Sequence, residues 1–458
     1  MKFNYFARKS YIFVKFIIKN KYLFFLLFAF FCIHMRLLII NLEVNMKKIV
    51  VLLSSLVFFS TGINAETLRI LAEAGDEATL TKAAAQFEAA NPGVTIEASY
   101  LGWDDFMATI KLKLADNDPP DLAHGNQGFT VDGTLIQSGL VISLEKYAEQ
   151  YGWKDLFAEG ALAEFMWSED GSKWGSGSLF GVSPVAEDVI VYYNKSKLKA
   201  LGLSVPSSFE EFESALDTAK GAGELPIIMG GADGWPIIHV WGLVEGAFVD
   251  PNKTRKWIFD AKNTTFDIPA RVIAANKLAD MASAGYFGSD SLGIGYDDAN
   301  AMFINGEGVF NLTGTWMTAQ LDEGMGDNVG AFAMPIAGGG NVAGGGSFAL
   351  PWHISSKASN PDLAAKFLAH LMSNDFVDDL MQVGRVPAQA PTIDPTSNLQ
   401  AEVIASSNAL VGANAKTFYT DWSTPGMYDT VTQELQKLIG GAATADDFIS
   451  AMAAESVN

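Results

Sequence analysis

Residues 67–100 read TLRILAEAGDEATLTKAAAQFEAANPGVTIEASY, and the way this run divides decides the fold class. The first six residues have the length and apolar content of a buried strand. Residues 78–90 repeat their apolar side chains at helical spacing, which puts Leu80, Ala84 and Phe87 on one face. Asn91-Pro92-Gly93 stops that helix, because proline disfavours helical backbone in the residue before it and glycine tolerates a turn. Residues 94–100 then alternate as a second strand. Strand, helix, strand is the unit of a parallel sheet covered by helices on both faces, whose ligands sit beyond the carboxyl ends of the strands.

Working outward, the spacing predicts a helix over 106–114, ended by Asp118-Pro119-Pro120, and a short third strand over 121–123. The β-branched and aromatic run 189–193 (VIVYY) is a further strand. A helix starts near Ser207-Ser208, where one serine caps and Glu210 and Glu211 lie in the first turn. Others are expected over 270–284, 361–372, 376–381 and 430–439. A strand is expected to end at Phe310, the segment after it being too polar to be buried. No repeat of twenty to fifty residues exists, so a solenoid is excluded. Without a long polar linker, the two cores that the length allows must be closely joined.

The chain has 458 residues, 49% hydrophobic and 18% charged, with 31 Lys+Arg against 52 Asp+Glu. Residues 1–65 hold nine of those basic residues and only one of the acids, which leaves the remainder with a net charge of -29. Such a surface repels phosphate backbones and anionic lipid, so nucleic acid is excluded as a partner. The one cysteine, Cys32, precedes the body of the chain, which rules out disulfides, thiolate metal sites and a cysteine nucleophile there. His124, His239, His353 and His370 show no helical metal-pair spacing, so no metal is expected.

Residues 46–65, MKKIVVLLSSLVFFSTGINA, carry two lysines, an apolar core of about eleven residues and a small-residue end. This is a secretory signal peptide with cleavage expected after Ala65; its apolar core is too short to span a bilayer. Residues 1–45 contain a second apolar run, 22–40, interrupted by His34 and Arg36. It is either a membrane anchor or upstream sequence read from an early start. The second is expected, because a complete signal peptide with its own methionine follows.

The glycine-rich run 338–346 lacks the Lys and Ser/Thr of a phosphate loop and reads as a flexible hinge loop or a close backbone approach. Gly175-Ser176-Gly177 is not a nucleophile elbow. Carboxylate pairs such as Asp104-Asp105 and Glu187-Asp188 leave a secreted glycoside hydrolase as an alternative. Ten tryptophans are present, and several sit beside glycine or acid at the ends of expected strands rather than inside helices. Gly102-Trp103-Asp104, Asp233-Gly234-Trp235 and Gly314-Thr315-Trp316 are the cases in point. A sugar ring has an apolar face and a polar rim, so it is held by an aromatic plate with carboxylate and amide acceptors around it. That favours Trp103, Trp235 and Trp316 as ligand contacts.

Several motifs in order resemble the extracellular solute-binding proteins of ABC importers, family 1, the maltose-binding-protein-like group. They are 83–94 (AAAQFEAANPGV), 111–121 ending in Pro120-Asp121, 181–195 (GVSPVAEDVIVYYNK), 209–220 after Pro206, 303–316 (FINGEGVFNLTGTW), Met334-Pro335 followed by Gly344-Gly345-Gly346, 360–371 (NPDLAAKFLAHL) and Gly384-Arg385-Val386-Pro387. The resemblance implies a two-lobed periplasmic-binding-protein-like fold of type II, each lobe a mostly parallel α/β sheet flanked by helices, with the ligand cleft between. It implies crossovers at 181–190, 346–351 and about 391–400. Lobe one is then 66–184 with 347–392, and lobe two 190–345 with 400–458.

By the same matching, lobe one presents Asp76 or Glu77, Trp103 and Asp104, Asn126 and Gln127. Glu187 comes from the first crossover and Arg385 from the Gly-Arg-Val-Pro turn. Lobe two presents Asp233, Trp235, Trp316, the backbone of Gly345-Gly346, and Trp422; in this family the tryptophan matching Trp316 commonly stacks on a sugar. Ser183-Pro184-Val185 stands where the family usually has a Pro-aromatic pair. The implied protein is a non-enzymatic, monomeric, periplasmic binding protein without a cofactor. It takes a neutral carbohydrate, or alternatively a polyol, and delivers it to the permease subunits of an ABC importer.

Overall fold

The computed structural model describes residues 29–30, 66–157 and 161–457. The signal peptide, its cleavage point and most of the 1–45 extension lie outside the described residues. The opening run folds in the order its periodicity predicts: β1 (Glu66–Glu73), α1 (Glu77–Ala90), β2 (Val94–Leu101), α2 (Trp103–Ala115) and β3 (Leu122–His124). β1 is the centre, parallel to β2 with Glu66 opposite Val94 and parallel to β3 with Ile70 opposite Leu122. Strand Trp352–Ile354 closes the far side antiparallel to β3. α1 buries Leu80, Ala83 and Phe87, so Ala83 rather than Ala84 completes its apolar face. Phe87 meets Phe367 edge-on at 5.2 Å, which docks α1 against helix Pro361–Leu371. Asn360 caps that helix through the amide of Leu363, and Pro361 fits its first turn.

The second sheet is built on strand Val185–Asn194. Phe310–Gly314 and Val329–Phe332 pair antiparallel with it, and Ile227–Ile228 runs parallel to Phe310–Gly314. Phe310 begins its strand instead of ending one, and Phe310–Gly314 is buried throughout. The polar residues tolerate this because each brings a partner: the Asn311 amide donates to Asn300 Oδ1 at 2.9 Å, and the Thr313 hydroxyl lies 2.8 Å from that of Tyr296. The glycine-rich run divides in two. Gly338, Gly339 and Gly340 form a turn at positive φ, whereas Gly344, Gly345 and Gly346 lie inside strand Val342–Phe348, where Gly344 and Gly345 pair with Lys416 and Thr417 and Gly346 pairs with Asp188.

Helices Trp235–Phe248, Asn398–Gly412 and Ala445–Glu455 are additional to those the spacing predicts. Trp235–Phe248 buries 11 of its 14 residues, so no polar face marks its turn.

The chain passes between the sheets three times. Val182 bridges Trp352 of the first sheet, and Val185 already opens a strand of the second. Strand Val342–Phe348 of the second sheet is followed directly by Trp352–Ile354 of the first. Helix Asn374–Gln382 buries Phe376 and Leu380 in the first core, and Val386–Pro387 then pairs with Val185 and Ala186. That return precedes the 391–400 segment the resemblance implied.

Candidate functional site

Loops at the carboxyl ends of the first sheet supply a charged floor. Asp76 ends the single turn after β1, Arg385 projects from the Gly-Arg-Val-Pro turn, and Glu187 stands on the strand that leaves the first sheet for the second. Arg385 Nη2 lies 2.5 Å from Asp76 Oδ1 and 3.1 Å from Glu187 Oε1. His124 at the end of β3 steadies the group: Nδ1 accepts the Glu73 amide at 3.2 Å, which leaves Nε2 as the protonated nitrogen, 3.2 Å from Asp76 Oδ2. Burial alone would push the Asp76 carboxyl up, but the Arg385 guanidinium and His124 outweigh it and hold it at about 2. Glu187 goes the other way. Burial, reinforced by Asp76, Glu73 and Asp188 against the opposing pull of Arg385, pushes it up to about 7. The floor thus pairs an ionised acid with one that titrates near neutrality.

Three tryptophans make up a second group, an aromatic wall. Trp103 opens α2, Trp235 opens helix Trp235–Phe248, and Trp316 occupies the turn Thr315–Met317 directly after strand Phe310–Gly314. Each indole therefore begins a helical turn, a correction to the expectation that they sit outside helices; the junctions place them beyond the strand ends. Trp103 lies 6.2 Å from Trp235, and Trp235 lies 6.4 Å from Trp316, with tilts of 59° and 54°. α2 belongs to the first sheet and the other two tryptophans to the second, so the wall spans both. Trp316 Nε1 donates to the Tyr296 hydroxyl at 2.7 Å. A Cβ on Gly314 would come within 2.0 Å of the Trp316 ring, so the indole can fold back only over a glycine. Gly345 has a similar part: a Cβ there would sit 3.0 Å from the Tyr419 ring, which packs on His239 at 4.7 Å.

The remaining expected residues fall elsewhere. Glu77 and Asp104 are exposed on the first turns of α1 and α2. Asp233 is exposed and accepts the Tyr296 amide at 2.7 Å, anchoring the helix that carries Tyr296. Asn126 and Gln127 follow β3 but are buried: the Asn126 amide donates to Asp132 Oδ1, and the Gln127 side chain donates to Glu164 and to the Phe348 carbonyl. Trp422 is buried against Trp174, Phe418 and Tyr419. Gly346 carries the backbone past Asp188, whose Oδ1 would be 2.1 Å from an added Cβ. The structure brings together Asp76, Glu187 and Arg385 in one cluster, and Trp103, Trp235 and Trp316 in another.

A two-sheet α/β chain with such a cleft has known relatives. The family model for bacterial extracellular solute-binding proteins matches residues 82–405. The chain belongs to that family. Its members bind solutes and are not enzymes. This solute-binding protein is similar to the multiple sugar-binding protein of Streptococcus mutans serotype c, with 24% identity over 305 residues, 64% of this chain and 68% of that one. A probable sugar-binding periplasmic protein of Mesorhizobium japonicum is 25% identical over 222 residues, 48% of this chain and 50% of that one. Among solved structures, a chitin oligosaccharide binding protein superposes with a TM-score of 0.73 at 23% identity, covering 86% of this chain and 98% of the other. The solute-binding protein fold, two α/β lobes with a cleft between, thus extends over nearly all of the chain beyond residue 65.

Sequence reasoning missed four residues of this solute-binding protein's site: His124, His239, Tyr296 and Tyr419. His239 follows Trp235 by four, the spacing of one helical face, so recognising helix Trp235–Phe248 would have found it. Tyr296 and Tyr419 carry no local signal.

Proposed function

We propose that the protein captures a neutral carbohydrate outside the cytoplasmic membrane and delivers it to the permease subunits of an ABC importer, acting as a monomer. Two observations support this reading, the cluster of Trp103, Trp235 and Trp316 and the Asp76–Arg385–Glu187 charge cluster. Indoles cover the C–H face of a sugar, while carboxylates accept from its hydroxyls. The Arg385 guanidinium is already paired with two acids, which makes it a poor anchor for an anionic ligand. The sugar-binding names of the two relatives support the same class.

The two lobes are joined by the crossovers near 182–185, 348–352 and 382–386 and close about them. Contacts made by both lobes exist only in the closed form, so ligand shifts its population. Secretion by the 46–65 signal peptide into a periplasm, with Glu66 as the first mature residue, completes the reading; intact-mass analysis of the exported protein checks it, and retention of residues 1–65 would overturn that part.

A thermal-shift screen over mono- and oligosaccharides, polyols, amino acids and metal ions tests the function. Ligand at ~100 times its dissociation constant adds about 2.7 kcal/mol of apparent stability. At least one neutral sugar should shift the transition and metal ions should not; a response to polyols or amino acids with none to sugars would refute the carbohydrate reading.

A further inference from the structure

His239 lies one turn into helix Trp235–Phe248, on the face of Trp235, and is nine-tenths buried. Three rings enclose it: Trp235 and Trp316 each at 5.3 Å, and Tyr419 at 4.7 Å. Among the described residues no hydrogen bond reaches either ring nitrogen. No charged group faces it either, since burial is the sole cause that drives its pKa to about 3. The contrast with two other buried histidines is direct. His124 sets its nitrogens against the Glu73 amide and Asp76, and His353 against the Phe180 carbonyl and Asp132.

A neutral imidazole carries one donor and one acceptor, and here the protein supplies a partner for neither, which leaves both to solvent or ligand. Packing alone gains nothing from the nitrogens. The other buried charged residue of the helix, Glu245, is satisfied by Arg271 and Thr254. His239 and the Trp103 indole nitrogen are the wall's polar groups without a hydrogen-bond partner, and His239 sits among the indoles that would cover a sugar face.

We propose that His239 is a ligand contact that exchanges a hydrogen bond with a ring hydroxyl of the bound sugar and discriminates against analogues lacking that hydroxyl. The inference rests on the carbohydrate reading and deepens it. A hydroxyl both donates and accepts, so it suits either edge of an uncharged imidazole. The contact also narrows the ligand class to uncharged rings whose hydroxyl points toward the Trp235–Trp316 side of the cleft.

The test uses the mature protein and five probes: raffinose, N,N′-diacetylchitobiose, xylobiose, maltose and galactose. Isothermal titration identifies the tightest for the unaltered protein, and that probe is carried forward. His239→Phe keeps the ring and removes both nitrogens; its Kd for the probe should rise about tenfold. The unliganded Tm should stay level or rise, because the unmet polar atoms are gone. His239→Gln should recover part of the affinity. One monodeoxy analogue should bind the unaltered protein about tenfold more weakly than the parent sugar, yet bind His239→Phe equally well. A probe Kd within twofold of normal in both variants would overturn the inference and leave the carbohydrate reading standing. Binding of none of the five probes by the unaltered protein would overturn both.

Discussion

Replacing Arg385 with glutamine removes the guanidinium that lies between Asp76 and Glu187, and the consequence is calculable in sign and rough size. Asp76 is held at about 2 against an ordinary 3.8, although burial pushes the other way. The difference corresponds to roughly 2–3 kcal/mol favouring its ionised form. Glu187 is already raised to about 7 with Arg385 opposing the rise, so the loss raises it further. In the unaltered protein the Asp76 contribution is present above 3.8 and is lost as pH falls through about 2. The Glu187 proton contributes below about 4.5, and its contribution is lost as pH rises through about 7. Without the guanidinium both carboxyls are raised groups: near pH 5 they can take up protons at small cost, whereas above pH 7 the fold must either hold two buried charges or keep protons that the unfolded chain releases. Urea unfolding at pH 5, 6.5 and 8 should therefore show a penalty of ~1 kcal/mol at pH 5 growing to ~3–5 kcal/mol at pH 8, the range for a buried pair deprived of one partner. Adding Glu187→Gln to Arg385→Gln should recover about half of the loss at pH 8, because one uncompensated carboxylate is removed. A penalty that is the same at all three pH values, or below ~1 kcal/mol at pH 8, would refute this account of the floor.

Trp316→Ala removes the indole fixed by Tyr296 and should weaken sugar binding by ~1–3 kcal/mol, roughly five- to a hundred-fold, with folding nearly intact. Unchanged affinity with a ~3–5 kcal/mol loss of stability would make it a core residue instead. Gly346→Ala places a methyl group 2.9 Å from the Glu187 carbonyl as well as against Asp188, where backbone must move, and should cost ~1–3 kcal/mol in urea unfolding; full stability would show that the crossover strands yield more easily than their packing suggests. Burial raises Glu164 to about 8 and Asp421 to about 7, so both keep protons in the fold that the unfolded chain releases. Their contribution is complete below about 4 and is lost as pH rises through 7 and 8, so Tm should fall between pH 6 and 9 by an amount that Glu164→Gln reduces; a Tm that rises over that interval would contradict it.

How far the fold could be read from sequence depended on whether an element has two unlike faces. α1 turns one face to the core and β1 buries Leu68 and Ile70–Ala72, and their limits and those of β2 came within a few residues of those observed. Helix Trp235–Phe248 went unseen because it is buried nearly all round, and apolar periodicity vanishes when every side is apolar. Strand Phe310–Gly314 was misplaced for the opposite reason. Asn311 and Thr313 look like surface residues until Asn300 and Tyr296 are seen to meet them. Polarity predicts exposure only while the partner is unknown, and both partners come from a helix that precedes the strand.

The site was partly legible for a related reason. Trp103, Trp235 and Trp316 each follow a glycine by one or two residues at a strand-to-helix junction, and that local context was enough to set them apart from tryptophans such as Trp153 and Trp241 that fill the cores. Arg385 and Asp76 are 309 residues apart in the chain, and no local pattern announces that one neutralises the other. His239 was excluded as a metal ligand on spacing and then left without a role, because a single histidine in an apolar run is ordinarily a packed one. What separates it from the other two is their polar contacts: His353 meets the Phe180 carbonyl and Asp132, His124 accepts the Glu73 amide and stands 3.2 Å from Asp76, and His239 has no protein partner on either nitrogen. Which atoms a fold leaves unmet depends on every element that could have reached them. Here the helix bearing Trp235, the turn bearing Trp316 and the segment bearing Tyr419 each bring an aromatic ring to His239 rather than a polar group. The same three rings that make the wall suited to a sugar face are therefore what leaves the imidazole available to a sugar hydroxyl.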